Sequence, residues 1–145
     1  MTRRKGKIIS GVTFLVIALG IAVVFGIWNK PHQNVEDAKA IAVTAEELYR
    51  SFVKDSVKAG QLYSNKVLQV SGEVSRVSEN QQAQQVVFLR TGVPEAFINC
   101  TVEGKKINAK PGEQIRIKGI CSGYIAGDAD MGLPGDVFLV RSYPF

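Results

Sequence analysis

The residues of this chain that have reactive side chains are two cysteines, one histidine, and a few cations and aromatic rings on short apolar segments. Cys100 and Cys121 lie far apart in the chain, so they form no C-x-x-C redox motif, and two cysteines alone do not make a zinc site. The pair suits either a disulfide or two buried thiols, because cysteines adopt both arrangements in folded domains. The sequence leaves these two alternatives open.

The sequence offers few residues for catalysis. His32 lies in a polar segment, and the sequence contains no nucleophile elbow and no phosphate-binding loop. A glycine-rich loop region contributes Asp128, Asp130 and Asp136, which calcium would accept, but the EF-hand spacing and its closing glutamate are missing. We interpret these residues as solubilising charges. The sequence therefore predicts a protein that is not an enzyme and that holds no metal and no cofactor.

Aromatic and cationic side chains on the expected strands form a candidate binding face. Proteins that bind single-stranded nucleic acid combine aromatic platforms with cations. Phe97 points away from the predicted core of its strand, and the candidate face consists of Arg76, Arg90, Phe97, Lys118 and Tyr124. A solvated strand face without a ligand is the favoured interpretation of these residues, because the domain carries no net charge.

The net positive charge of the chain comes from its first 30 residues. Arg3, Arg4, Lys5, Lys7 and Lys30 account for the formal net charge of +5, and the other 13 lysines and arginines balance the 13 acidic residues. A neutral domain lacks the electrostatic attraction on which most non-specific nucleic-acid binding depends. Binding to nucleic acid is therefore not the favoured function.

The stretch from Ile8 to Trp28 contains no charged residue and follows the basic N-terminal cluster. As a helix it is roughly 32 Å long, enough to cross a hydrocarbon core of about 30 Å. It is longer than the apolar part of a secretory signal and lacks a small-residue cleavage site, so we expect an uncleaved anchor. The basic start predicts a single-pass inner-membrane protein with a cytoplasmic N-terminus and a periplasmic or extracytoplasmic domain.

The elements that position the candidate residues follow from capping and periodicity. Thr44 and Glu47 form a capping box, and the apolar stripe after it predicts an amphipathic helix up to about Lys58. Beyond it the period changes to two, with a bend between Gly72 and Val77. The predicted strands begin at Lys66 and then cover Gln85 to Arg90, Ala96 to Val102, Ile115 to Cys121, and Val137 to Ser142.

The predicted fold is mainly β: an N-terminal transmembrane helix, then an amphipathic helix and a five-stranded OB-like β-barrel, with a small β-sandwich as the second choice. The predicted organisation is a basic cytoplasmic tail over residues 1–7, the transmembrane helix over 8–28, a tether over 29–43 and the folded domain over 44–145.

Three segments also resemble a known family. Val70-x-Gly72-x-Val74, Asn99-Cys100-Thr101 and Lys118-Gly119-Ile120-Cys121-Ser122-Gly123 are similar to the tRNA-anticodon-binding-like OB-fold family of small bacterial envelope proteins. The resemblance covers about Thr44 to Val140 and implies a barrel but no activity. The link from Glu103 to Pro111 is too short for the longer helix that many OB-folds place there, so we expect the N-terminal helix to close the barrel.

The sequence thus predicts a membrane-anchored OB-fold binding module of the cell envelope, held in the membrane by residues 8–28. An envelope protein, a glycan or a peptide is the favoured ligand. The alternatives are a protein that binds single-stranded nucleic acid or tRNA, and an enzyme of unknown chemistry.

Overall fold

Two helices and six strands make up the part of the chain that the structure describes. The structure is a computed structural model, and it describes Val35 and residues 38–145. The elements in chain order are β1 (Ile41–Thr44), α1 (Ala45–Lys54), α2 (Ser56–Tyr63), β2 (Val67–Glu79), β3 (Gln85–Arg90), β4 (Phe97–Val102), β5 (Gln114–Ile125) and β6 (Asp136–Pro144).

The predicted tail over residues 1–7, the predicted membrane span over 8–28 and most of the tether before residue 38 lie outside the described residues. Within the described part of the chain, no helix has both the length and the apolar character needed to cross a membrane. The membrane span therefore stays a prediction.

Strands β2 to β6 close into a five-stranded barrel. Hydrogen bonds join them in the order β2, β3, β4, β6, β5, and β5 pairs again with β2. Strands β4 and β6 run parallel, while the other neighbours within the barrel run antiparallel. This arrangement confirms the predicted OB-like barrel, and the β-sandwich was the wrong alternative.

Strand β2 changes its partner at a β-bulge. Its first half pairs with β5, and its second half pairs with β3. The register with β3 shifts between Val74 and Arg76, because β2 holds one extra residue there. The bulge confirms the bend that the sequence predicts in this region.

The core lies inside the barrel and consists of one side-chain row from each strand. Because side chains alternate along a strand, every second residue points inward. The fully buried residues of these rows are Leu68, Val70, Val74, Val87, Leu89, Ile98, Cys100, Ile117, Cys121, Val137 and Leu139.

The helical segment differs from the prediction, because two helices replace one. The Oγ1 atom of Thr44 accepts the N–H of Glu47 at 3.1 Å, which confirms Thr44 as the N-cap of the first helix. The chain becomes extended at Asp55, whose Oδ1 accepts the N–H of Lys58 at 3.0 Å and so caps α2. Val53, predicted to lie on the buried stripe, falls in the last turn of α1 and is 57 % exposed.

The folded domain begins earlier than predicted. Ile41–Thr44 form β1, which pairs in parallel with β2, although the tether was predicted to extend to residue 43. Val43 is buried, so this short segment contributes both backbone hydrogen bonds and apolar contact. Four residues are too few for an alternating pattern to be recognised, and the partner strand lies far along the chain.

The N-terminal helices close the barrel through close contacts with its strands. Gly72 of β2 lies directly beneath the start of α1, and a Cβ atom added to it would lie 2.9 Å from the Cβ of Ala45. The rings of Phe52 and Tyr124 stack with their centroids 5.8 Å apart, which joins α1 to β5. Aromatic contacts of this kind stabilise a packed interface beyond the burial of apolar area.

The link between β4 and β5 contains no helix, as its length predicts. The side-chain amide of Gln85 holds this link by two hydrogen bonds to Ile107: its Nε2 donates to the carbonyl at 2.8 Å, and its Oε1 accepts the N–H at 2.7 Å. Ile107 and Ala109 pack against the core. The link is therefore an ordered cover for the other end of the barrel.

We expect Gly72→Ala to destabilise the domain by about 1–3 kcal/mol, because the new methyl group forces α1 away from β2. Gly60→Ala is the matched control, since Gly60 lies within α2 and its added Cβ meets only Ser64 Oγ at 3.7 Å. Gly60→Ala should stabilise the domain by about 0.5–1 kcal/mol. Urea denaturation measures both free energies, and a Gly72→Ala variant as stable as the parent would contradict the close contact.

Candidate functional site

Two phenylalanines and an arginine meet on the outer surface of β2, β3 and β4. The register places Arg76 opposite Phe88 and Arg90 opposite Phe97. The Cζ atom of Arg76 lies 4.2 Å from the ring centroid of Phe88 and 5.5 Å from that of Phe97. The two rings meet edge to face, with centroids 5.9 Å apart and an angle of 90° between their planes. We call these four residues, Arg76, Phe88, Arg90 and Phe97, the aromatic face.

Carboxylates accompany the cations of the aromatic face. The Nε atom of Arg90 lies 3.0 Å from Oε1 of Glu73, and both side chains are exposed to solvent. An exposed ion pair contributes only about 0–1 kcal/mol to stability. Its main effect is to reduce the positive charge that Arg90 brings to the aromatic face.

Asp136 at the start of β6 organises the start of β4. Its Oδ1 accepts the backbone N–H of Phe97 at 2.8 Å, and its Oδ2 accepts the side-chain amide of Asn99 at 3.0 Å. Asn99 is only 6 % exposed, and its Oδ1 has no hydrogen-bond partner within the described part of the chain. Asn99 on β4 therefore holds a buried amide oxygen, unpartnered among the described residues, beneath the aromatic face.

A cleft of about 300 Å³ adjoins the aromatic face. Arg90 and Phe97 form part of its wall, and the loop between β3 and β4 forms most of the rest. The hydroxyl of Thr91 donates to the carbonyl of Ala96 at 2.9 Å and accepts the N–H of Val93 at 3.3 Å. These two hydrogen bonds brace the loop, so the cleft is formed in advance of any ligand.

A second cleft, of about 440 Å³, lies at the opposite end of the barrel, where the link between β4 and β5 meets the end of the chain. Arg116 and Phe145 line it, and the Cζ atom of Arg116 lies 5.9 Å from the ring centroid of Phe145. This cleft is larger, and like the first it has one aromatic ring in its lining, but that ring stands apart from the aromatic face.

The structure brings together three of the five predicted face residues, Arg76, Arg90 and Phe97. Lys118 does not belong with them: it lies on β5 opposite Gln69, seven residues or about 23 Å along β2 from Arg76. Lys118 is 7 % exposed, and its Nζ lies 5.4 Å from the ring centroid of Phe145. The prediction for Lys118 was wrong because alternation indicates the face of a strand but not its position around a barrel.

Tyr124 also lies away from the aromatic face, because it packs against α1. Its ring stacks on Phe52 and meets the ring of Tyr49 edge to face, with centroids 6.2 Å apart. Burial, together with the nearby Tyr124 and Asp136, raises the pKa of Tyr49. Tyr124 is therefore a packing residue.

Sequence reasoning missed Phe88, Asn99 and Asp136. Phe88 falls within an apolar run, but Val87 and Leu89 are the fully buried members of that run, so Phe88 points outward. Strict alternation within this run was the signal that identifies it. The roles of Asn99 and Asp136 depend on the parallel pairing of β4 and β6, which brings together residues distant in the chain.

The acidic loop between β5 and β6 is arranged as a turn. The Oδ1 atom of Asp128 accepts the backbone N–H of Asp130 at 2.9 Å and that of Met131 at 3.2 Å. Asp136 is engaged separately at the start of β4. Among the described residues, no group of three or more histidine, cysteine or acidic side chains is placed to hold a metal ion.

Cys100 and Cys121 are buried free thiols in this structure. Both lie opposite Leu139, one on β4 and one on β5, so β6 runs between them. The two cysteines are therefore two interstrand spacings apart, and each spacing is about 4.8 Å. Their Cα atoms are farther apart than the roughly 4.4–6.8 Å that a disulfide allows. The geometry therefore favours the alternative of two thiols. Burial raises the pKa of Cys100 to about 12 and that of Cys121 to about 11.

A comparison with known proteins found a matching family model. A family model described as tRNA_anti-like matches residues 1–131 of the chain. No curated protein matches the chain.

We expect neither cysteine to react with a maleimide at neutral pH while the barrel is folded, and both to react after denaturation. Mass spectrometry should find the same thiol count with and without prior reduction. A mass increase on labelling only after reduction would contradict the two-thiol arrangement.

The same thiols predict a loss of stability at high pH. Because folding raises their pKa from 9.0, the protonated thiols stabilise the barrel below pH 9, and this contribution falls as the pH approaches about 11. The free energy of unfolding, measured by denaturation at several pH values in this range, should fall less steeply for the Cys100→Ala/Cys121→Ala variant than for the parent protein. Equal slopes for both proteins would show that the thiols do not titrate in this way.

Proposed function

Because the chain belongs to the tRNA_anti-like family, we propose that its OB-type barrel is a binding module of the cell envelope, anchored in the membrane by residues 8–28. The observation that carries this proposal is the aromatic face, where Phe88 and Phe97 lie beside Arg76 on the outer surface of the barrel. OB-folds bind oligonucleotides and oligosaccharides on the corresponding strands and on the neighbouring loops.

The favoured ligand is an envelope protein, a glycan or a peptide. The chain beyond Lys30 carries no net charge, so it lacks long-range attraction for a phosphate backbone. One observation favours single-stranded nucleic acid as the second candidate: an arginine stacked on two aromatic rings resembles the platforms on which bases stack. Salt dependence separates these two candidates.

The proposed location follows from the uncharged stretch between Ile8 and Trp28 and the basic cluster before it. The N-terminus stays in the cytoplasm, and the barrel lies outside the inner membrane. This placement exposes the barrel to envelope components and separates it from most nucleic acid.

The anchor is tested by extracting membranes at alkaline pH. The full chain should remain in the membrane fraction, and protease added to spheroplasts should degrade the barrel. Leu15→Arg/Val23→Arg is the control, since each charge at the middle of a span costs about 2.5–3.5 kcal/mol and should release the protein. Soluble parent protein, or mature protein that lacks the first 28 residues, would contradict the anchor.

The ligand site is tested by photo-crosslinking in intact cells. A photoreactive phenylalanine analogue at Phe97 should form an adduct with an envelope component, because this ring lies on the aromatic face and at the cleft. The same analogue at Phe145 is the matched control, since this ring is exposed at the other end of the barrel. Adducts at Phe145 alone, or at neither position, would refute a binding site on the aromatic face.

A further inference from the structure

The groups around the aromatic face indicate which ligand class fits it. Phe97 is only half buried and lines the cleft, so it presents apolar ring surface, whereas the guanidinium of Arg76 lies over the ring of Phe88. The apolar C–H face of a sugar ring packs on such a surface, just as a nucleic-acid base would. The rings alone therefore do not distinguish a glycan from a nucleic acid.

The charges make that distinction. The two cations of the site, Arg76 and Arg90, are matched by two carboxylates, that of Glu73 and that of Glu95 at the cleft. Glu73 is paired with Arg90, so one of the two cations is already compensated. Tight binding of a phosphate chain relies on excess positive charge that releases counterions, and this site has none. A neutral ligand meets no such penalty.

The hydrogen-bonding groups match hydroxyls. Guanidinium groups only donate and carboxylates only accept, whereas a hydroxyl does both and so satisfies either. At the cleft, Arg90 supplies donors and Glu95 supplies an acceptor.

The closed barrel disfavours an extended peptide. A peptide that adds to a sheet needs a strand edge with unpaired backbone groups. Strands β3 and β4 each have a neighbour on both sides, so the aromatic face offers side chains but no edge. The adjoining cleft of about 300 Å³ lies at the lower end of the range for small-ligand pockets, roughly 300–1,000 Å³, which suits one sugar ring.

We propose that the aromatic face binds a neutral, hydroxyl-rich glycan, with one sugar ring in the cleft against Phe97. This inference rests on the proposed function, because it names the ligand class of the same site. Arg90 and Glu95, which line the cleft, supply hydrogen bonds around the ring, and Phe97 supplies the apolar contact.

The test uses the full chain in a detergent without a sugar headgroup, titrated with a β-1,4-linked tetramer of N-acetylglucosamine. Calorimetry should detect binding that changes less than twofold between about 50 and 200 mM salt. Phe97→Ala should weaken this binding about tenfold, since the ring contact is lost. Phe145→Ala, which removes an exposed ring elsewhere, should leave it within twofold.

Glu95→Gln provides a second variant if Phe97→Ala does not fold, because Glu95 is an exposed loop residue at the cleft. This change removes the negative charge of one acceptor and should weaken binding about threefold. Equal affinity of the parent, Phe97→Ala and Phe145→Ala proteins would overturn the inference, as would no binding of the tetramer.

A short single-stranded oligothymidine serves as the competing ligand. If oligothymidine binds with an affinity that falls steeply with salt, and the tetramer does not bind, the ligand class is a nucleic acid and the glycan inference is wrong. If photo-adducts form at Phe97 but the tetramer does not bind, the glycan inference fails and the binding module stands. If neither the adducts nor the tetramer binding is found, both proposals fail.

Discussion

The barrel depends on one strand that pairs with two different partners on its way across the sheet. Strand β2 bonds to β5 with its first half and to β3 with its second, and the bulge between Val74 and Arg76 makes this change of direction. A flat strand cannot close five strands into a ring, so the irregularity is a requirement of the fold. The same bulge leaves Val74 in the core and places Arg76 over Phe88. Closure of the barrel and assembly of the aromatic face therefore share one structural cause.

Much of the barrel follows from local patterns in the sequence. Local apolar patterns and turn residues identify the five barrel strands, and the capping box identifies the start of α1, because these signals depend on neighbouring residues. The break at Asp55 and the strand β1 were not predicted. Asp55 interrupts a continuous helical pattern by capping a new helix, and β1 gains its stability from distant residues of β2.

The residues of the candidate site also differ in whether local patterns could predict them. Phe97 was predicted to point outward and does so, since alternation along its own strand decides which face it occupies, and Arg90 lies beside it as predicted. Lys118 and Tyr124 were assigned to the same surface, but the curvature of the barrel carries them to other sides. Asn99 and Asp136 meet only because β4 and β6 are parallel, a connection that spans a long stretch of chain. The local sequence thus indicates which side chains could bind a ligand, whereas the topology of the barrel decides which of them meet.

The separation of the two thiols by β6 would have a kinetic meaning at the location outside the cytoplasm that we propose. In an oxidising compartment an unfolded chain is free to join Cys100 to Cys121, yet the native register keeps them on opposite sides of Leu139. Such a bond would trap the chain away from its native state, and disulfides form in seconds to hours. At the proposed location the barrel would have to close faster than oxidants reach its cysteines, and the order of these two events would decide how much protein matures.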